Sequence, residues 1–246
     1  MVEYFDNIFR SEGAEEARQT ADVVKNMVNA EKREFLDQFF TVEEITYALK
    51  QMHPTKAPEP DDMPVLFYQK MWRIVGNDII DYVFNILNHE VDPSPINSTH
   101  ICMIPKIKNP RYAKGFRPIS LCNVVFKLVT KTIASKLKQL LPDIVGELQS
   151  VFVQDRLITD KELVAFEIFY YMKKKVTDQK GYIGLKSDMA KVYDRIECCF
   201  LKEVMILMGF SQRWVNLIQR CVSTVTFSIL VNEIPSKPIQ PTWGFR

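Results

Sequence analysis

An α+β fold is what the order of apolar patterns predicts: helical periodicity fills the first hundred residues, and short strand-like runs are then interleaved with further helices. No regular βαβ alternation and no internal repeat competes with that reading. Residues 1 to about 40 are mixed and largely helical in pattern, with Val23, Val24, Met27 and Val28 forming a weak face ahead of Phe35, Phe39 and Phe40. Thr41 followed by Glu44 fits a capping box, and Ile45, Ala48 and Leu49 share one face of a helix expected over about 42–52. After the loop HPTKAPEPDD, Pro64 suits the first turn of a longer helix carrying Leu66, Phe67, Met71, Ile74 and Val75 and continuing past Gly76 to Leu87. A second proline-rich stretch, Val91 to Asn97, ends it.

Residues 99–107, THICMIPKI, read as a strand, and Arg117 precedes a second one, which makes a hairpin with positive charge at its tip. Helical spacing returns with Val125, Leu128, Val129, Thr132, Ile133, Leu137, Leu140 and Leu141, leaving Lys127, Lys131, Lys136 and Lys138 for a solvated opposite face. A helix over about 160–174 and the turn TDQKG lead to a strand, Gly181 to Asp188, in which Ile183 and Leu185 alternate with other positions. Two helices, 200–208 and 212–222, flank the Gly209 break; a strand follows over 225–232, and Ile239 begins another.

The 246 residues suffice for one large domain or two small ones, with about 70–75% of the extended-chain surface buried on folding. Hydrophobic residues at 47% and charged residues at 25% exclude wholesale disorder. The net charge of +2 says little, but its placement says more: Lys106, Lys108, Arg111, Lys114 and Arg117 cluster, as phosphate contacts require. Five cysteines without CxxC spacing and three scattered histidines indicate neither a disulfide framework nor a transition-metal site. The acidic N-terminus is no signal peptide and no apolar run reaches the roughly 18 residues of a membrane span. The expectation is a soluble intracellular chain, nuclear or cytoplasmic and not secreted, with no membrane partner.

Chemistry concentrates in LKSDMAKVYDRIE, residues 185–197, where a carboxylate closes an apolar strand and an aromatic follows five residues later. Nucleotidyl transfer uses two magnesium ions held by carboxylates from separate elements. Asp188 can supply one ligand, or can cap the turn that follows it. Tyr193 can pack beneath a nucleotide sugar or join a core, and Asp194 pairs more readily with Arg195 or Lys191 than with metal. Lys106, Arg117 and Arg156 are candidate triphosphate or template contacts, since arginine offers phosphate a planar fork and lysine a point charge; the alternative for each is surface charge.

The segments KAPEPDDMPVLFYQKMW, ICMIPKIKNP, GFRPISLCNVVFKLVTKTIASKL, ELQSVFVQDRLITD, LKSDMAKVYDRIE and PTWGFR occur in an order that closely resembles the reverse transcriptases of plant non-LTR, LINE-type retrotransposons. The resemblance runs from near residue 4 to the last residue. It implies a partial right-hand polymerase: a helical N-terminal extension over 1–97 leading into the fingers, then fingers and an incomplete palm over 98–246. It implies that Lys106 and Arg117 face the triphosphate, that Asp188 is the first catalytic aspartate with the carbonyl of Met189 beside it, and that Tyr193 is the sugar-gate aromatic. Gly244 to Arg246 match the opening of a further motif. Lys114 and Arg156 are expected along the nucleic acid, and the implied partners are an RNA template, a DNA primer and dNTPs, with magnesium as the cofactor, weakly held or absent.

Departures accompany the matches. Glu59 and Asp62 stand where the family carries glycines, Gln154 and Asp155 where it has proline and glycine, Ser187 for leucine, Cys198 for tryptophan and Trp243 for arginine. Lost glycines can forbid turns that need a positive φ. With no Asp-Asp pair after Asp188, the expectation is a chain truncated before its second metal-binding aspartates and inactive alone. The competing readings are a residual nucleic-acid-binding module and a translated fragment without selected activity.

Overall fold

The computed structural model describes residues 24–55, 61, 63–146, 149, 153–174, 183 and 196–241. The first helix, α1 (Ala30–Asp37), starts at Asn29, whose side chain accepts from the Lys32 amide at 2.9 Å. The segment ahead of it departs from the helical expectation. Residues 24–29 are not helical because the Met27 and Val28 amides donate to the Met208 carbonyl, at 3.0 and 2.9 Å, across the fold. The predicted capping box is present in full at α2 (Val42–Gln51), where Glu44 and Thr41 bond each other's backbone reciprocally.

The long helix expected after Pro64 is two helices, α3 (Val65–Lys70) and α4 (Trp72–Asn88). Met71, at φ −93° and ψ 12°, turns the axis, yet its amide still donates to Phe67 and its carbonyl accepts from Val75. The ladder is thus interrupted by little more than one residue. Gly76 makes room for the Trp72 indole, since a Cβ there would lie 3.0 Å from the ring.

The hairpin predicted around the basic loop is present as β1 (Ser98–Pro105) and β2 (Phe116–Cys122). Asn123 then caps α5 (Val124–Lys138) by accepting from the Val125 amide at 2.8 Å, followed by the short α6 (Leu141–Ile144). Further along lie α7 (Ile158–Lys174), α8 (Cys198–Leu207), α9 (Gln212–Ser223), β3 (Thr226–Val231) and β4 (Ile234–Pro235). The strands form one mixed sheet in the order β2-β1-β3-β4, with β1 and β3 parallel and the other pairs antiparallel. Ile239 makes an isolated bridge to Phe227 rather than opening a full strand. The strand expected over 181–188 lies outside the described residues.

The main core joins Leu36, Phe40, Ile45, Leu87, Leu128 and Trp214, so it gathers side chains from α1, α2, α4, α5 and α9 and from the link between α1 and α2. Each such burial contributes roughly 1.5–3 kcal/mol. A smaller cluster of Ile101, Val225, Phe227 and Ile229 seats the sheet. By contrast, α7 is exposed along nearly its whole length, Phe166, Phe169, Tyr170 and Tyr171 included.

Lys136 corrects the expectation of a solvated lysine face. Its side chain is 3% exposed: the ammonium donates to the Gln38 carbonyl at 2.7 Å, lies 4.4 Å above the Phe40 ring and is 4.0 Å from Glu44. Burial pushes its pKa below the usual 10.5, with Glu44 opposing. The unfolded chain therefore holds this proton at pH values where the folded chain has begun to release it, and stability from this residue rises with pH through that window up to 10.5. Wild-type protein is expected to gain stability relative to Lys136→Met as pH is raised toward 10.5, read as denaturant midpoints at stepped pH.

Gly209 gives a second test. Its φ of +92° is open to glycine, and a Cβ would sit 2.6 Å from Asn26 Oδ1 and 2.8 Å from the Val28 carbonyl. Gly209→Ala is expected to cost at least about 1–2 kcal/mol from backbone conformation alone, a fall of several degrees in Tm.

Candidate nucleic-acid interface

The β1–β2 hairpin owes its register to alternating partners, from Thr99 opposite Cys122 to Pro105 opposite Phe116. Pro118 can sit inside β2 because β2 is the edge of the sheet, where one side of the backbone needs no ladder partner. Past Pro105 the pairing continues for one further bond, from the Lys106 amide to the Gly115 carbonyl at 2.8 Å. Ile104 faces Arg117 across the ladder. Positions two apart share a face, so Lys106 and Arg117 are diagonal neighbours on the same side of the hairpin, both exposed. The structure thus brings together the two residues that the sequence singled out for a triphosphate.

The tip between them is a fixed loop. The Gly115 amide donates to the Tyr112 carbonyl at 2.9 Å in the 3-10 turn Ala113–Gly115, and Asn109 takes a positive φ of 53°. Gly115 is required by close approach, because a Cβ would lie 2.8 Å from the Pro110 Cβ. Lys108, Arg111 and Lys114 project from this loop into solvent, with Lys114 Nζ 5.9 Å from the Tyr112 ring centre.

A signal the motif-by-motif reading missed lies in the charge order. Residues 93–142 contain nine lysines and arginines and not one carboxylate, so the rest of the chain holds 23 cations against 30 carboxylates. The hairpin and α5 are built entirely from that segment. A surface of single sign attracts polyanions, and its strength falls with salt.

Arg156 is placed apart from the hairpin residues. Its guanidinium donates to four carbonyls, Gly146 at 2.7 Å, Gln149 at 2.8 Å, Pro142 at 2.9 Å and Val145 at 3.2 Å, and so closes the backbone that follows α6. As a nucleic-acid ligand it would have to give up those bonds. Asp155 beside it has φ +61°, the left-handed region, at the place where the resemblance calls for glycine. Asp188, Met189, Tyr193 and the segment Gly244 to Arg246 lie outside the described residues, as do Glu59 and Asp62. Among the described residues no group of three or more His, Cys, Asp and Glu side chains is placed to hold a metal ion, and no helix is long and apolar enough to cross a membrane.

A family model described as reverse transcriptase (RNA-dependent DNA polymerase) matches residues 104–240, from the end of β1 past β4. The chain belongs to the reverse transcriptase family. Lys106, Lys114, Arg117, Arg156 and Asp188 all fall within the matched span. The chain is also similar to "Transposon TX1 uncharacterized 149 kDa protein" of Xenopus laevis, 23% identical over 220 residues, which is 89% of this chain and 17% of that protein.

Asp155 supplies the test of the loop before α7. A left-handed backbone costs an L-residue roughly 1–2 kcal/mol, less for aspartate, and glycine avoids it. Asp155→Gly is expected to raise stability by up to about 1 kcal/mol, read as an increase of a few degrees in Tm.

Proposed function

We propose that this chain forms the fingers and the first part of the palm of an RNA-directed DNA polymerase from a non-LTR, LINE-type retrotransposon. The observation that carries the reading is the hairpin: Lys106 and Arg117 lie on one face of a fixed β-turn structure inside the family match. A cation pair of fork and point charge on a rigid element suits the phosphates of an incoming nucleotide. Residues 1–97 pack as the helical support of this unit, and 98–246 carry the fingers and palm.

In this proposal Asp188 is the first metal ligand, the Met189 carbonyl lies beside it, and Tyr193 forms the floor under the nucleotide sugar. Lys114 runs along the template, and Arg156 shapes the loop through which nucleic acid passes. Magnesium, when bound, activates the primer hydroxyl and clamps the triphosphate. The carboxylates after Asp188 within these 246 residues are Asp194, Glu197, Glu203 and Glu233, none of them adjacent in sequence. The resemblance puts the remaining metal ligands in an adjacent Asp-Asp pair, and no such pair follows Asp188 within these residues. We therefore read residues 1–246 as unable to complete the reaction alone. Purified as this polypeptide, with an RNA template, a DNA primer, dNTPs and magnesium, the chain is expected to give no primer extension; synthesis that disappears in Asp188→Asn overturns this.

The second reading, nucleic-acid binding without catalysis, draws on the same acid-free segment. The logarithm of the affinity for a primer-template hybrid should then fall linearly with the logarithm of salt, with a slope near roughly −0.7 per phosphate contacted on single strands. No retention at low salt rules this reading out.

A further inference from the structure

We infer that Tyr112, at the tip of the β1–β2 hairpin, is a stacking platform for an unpaired base of an RNA strand. The inference rests on the polymerase reading for the choice of strand, but not for the chemistry. Tyr112 is 71% exposed, among the most exposed aromatic rings described, although its backbone is held by the bond from the Gly115 amide. Its extended conformation, φ −126° and ψ 151°, starts the 3-10 turn, and Met103, Ala113 and Ile239, not Tyr112, pack against the sheet's core cluster of Ile101, Val225, Phe227 and Ile229. A ring held on a fixed loop loses little entropy when a flat apolar partner covers it.

What that partner is follows from the charges around the ring. Arg111 precedes it, and Lys114 Nζ lies 5.9 Å from its centre. Lys108 projects from the same loop, and no carboxylate occurs anywhere between residues 93 and 142. An apolar protein surface would have to desolvate these cations without repayment, whereas a nucleic-acid strand offers a phosphate to each cation and a base to the ring. Stacking on exposed aromatics flanked by cations is how unpaired strands are held without sequence preference. A duplex keeps its base faces covered and cannot use the ring. Lys106 and Arg117, assigned above to the nucleotide, lie on the ladder below the tip, so the ring adds a contact to the strand rather than to the triphosphate.

The test is fluorescence anisotropy of the whole chain with labelled oligo(rU), an abasic oligomer of equal length, oligo(dT) and an RNA duplex, each over a salt series. Tyr112→Ala should weaken oligo(rU) binding at least about five-fold with the salt slope unchanged, and Tyr112→Phe should restore it, since the ring and not the hydroxyl is used. Lys114→Ala should instead lower the slope by roughly 0.7 for one phosphate contact. The abasic oligomer and the duplex should bind wild type and Tyr112→Ala alike. Equal oligo(rU) affinity in both proteins, an equal loss on the abasic oligomer, tighter binding of oligo(dT) than of oligo(rU), or no binding by wild type at low salt each overturns the inference. Because no synthesis is measured, failure of the polymerase reading leaves this result standing, and loss of the Tyr112 effect leaves the polymerase reading standing.

Discussion

One buried carboxamide sets the arrangement on which the hairpin stands. Asn88, at the end of α4, accepts from the Phe40 amide at 2.9 Å and donates to the Phe40 carbonyl at 3.0 Å, satisfying both backbone groups of a residue that has left α1 and not yet reached α2. Arg213 of α9 donates to the same Asn88 oxygen at 3.1 Å and to the Asp37 carbonyl, while its guanidinium lies 4.7 Å from the Phe39 ring. Trp214 donates to the Leu36 carbonyl at 2.6 Å with its ring 1% exposed. Buried polar groups are costly when unpaired, so the end of α1 can take only the course in which these partners meet it. The helices before residue 97 and those after 198 are thereby fixed to each other, α5 packs against α2 and α4, and the hairpin is joined through the pairing of β1 with β3, the strand that follows α9.

The parts of this fold legible in the sequence are those governed by local rules. The Thr41–Glu44 box, the strands on either side of the basic loop, the long apolar face of α5 and the Gly209 break each follow from contacts within a few residues. What was not legible depends on partners far away in the chain. Residues 24–29 leave the helix because Met208 supplies an acceptor, and the Asn88–Arg213 arrangement spans 125 positions. Lys136 is an intermediate case. Its spacing from Thr132, Ile133 and Leu140 placed it on the apolar side of α5, and only the habit of assigning lysine to solvent hid this. For the candidate site, motif matching found Lys106, Lys114 and Arg117, whereas Tyr112 has no motif and emerges only from its exposure and neighbours.

Arg156 and Asp155 show how a sequence departure is accommodated by geometry. The turn before α7 retains a left-handed residue even though that residue is aspartate, one of the few side chains that tolerate the region. The adjacent guanidinium collects the carbonyls of Pro142, Val145, Gly146 and Gln149, in α6 and the backbone just after it. A guanidinium, with five N–H donors, can serve four carbonyls at once, whereas a lysine ammonium has only three. The backbone path there is thus set by side-chain chemistry where glycine and proline would otherwise set it by conformational preference.

Charge segregation decides how the remaining surface works. If acids were distributed evenly, nine cations between residues 93 and 142 would be neutralised by neighbours and would contribute little beyond solubility. Asp143 and Glu90 pair with cations outside that segment, Lys32 at 3.2 Å and Arg220 at 3.3 Å, while Glu44 reaches one of the nine, the buried Lys136. One of the nine, Lys136, is withdrawn into the core, but the hairpin cations stay outward on a loop stiffened by Gly115 and Pro110. Cations held on a fixed loop lose little entropy when an anion arrives, and counterion release adds to the attraction. On the proposal made above, that combination is what would let the hairpin tip hold a strand where an ordinary solvated face does not.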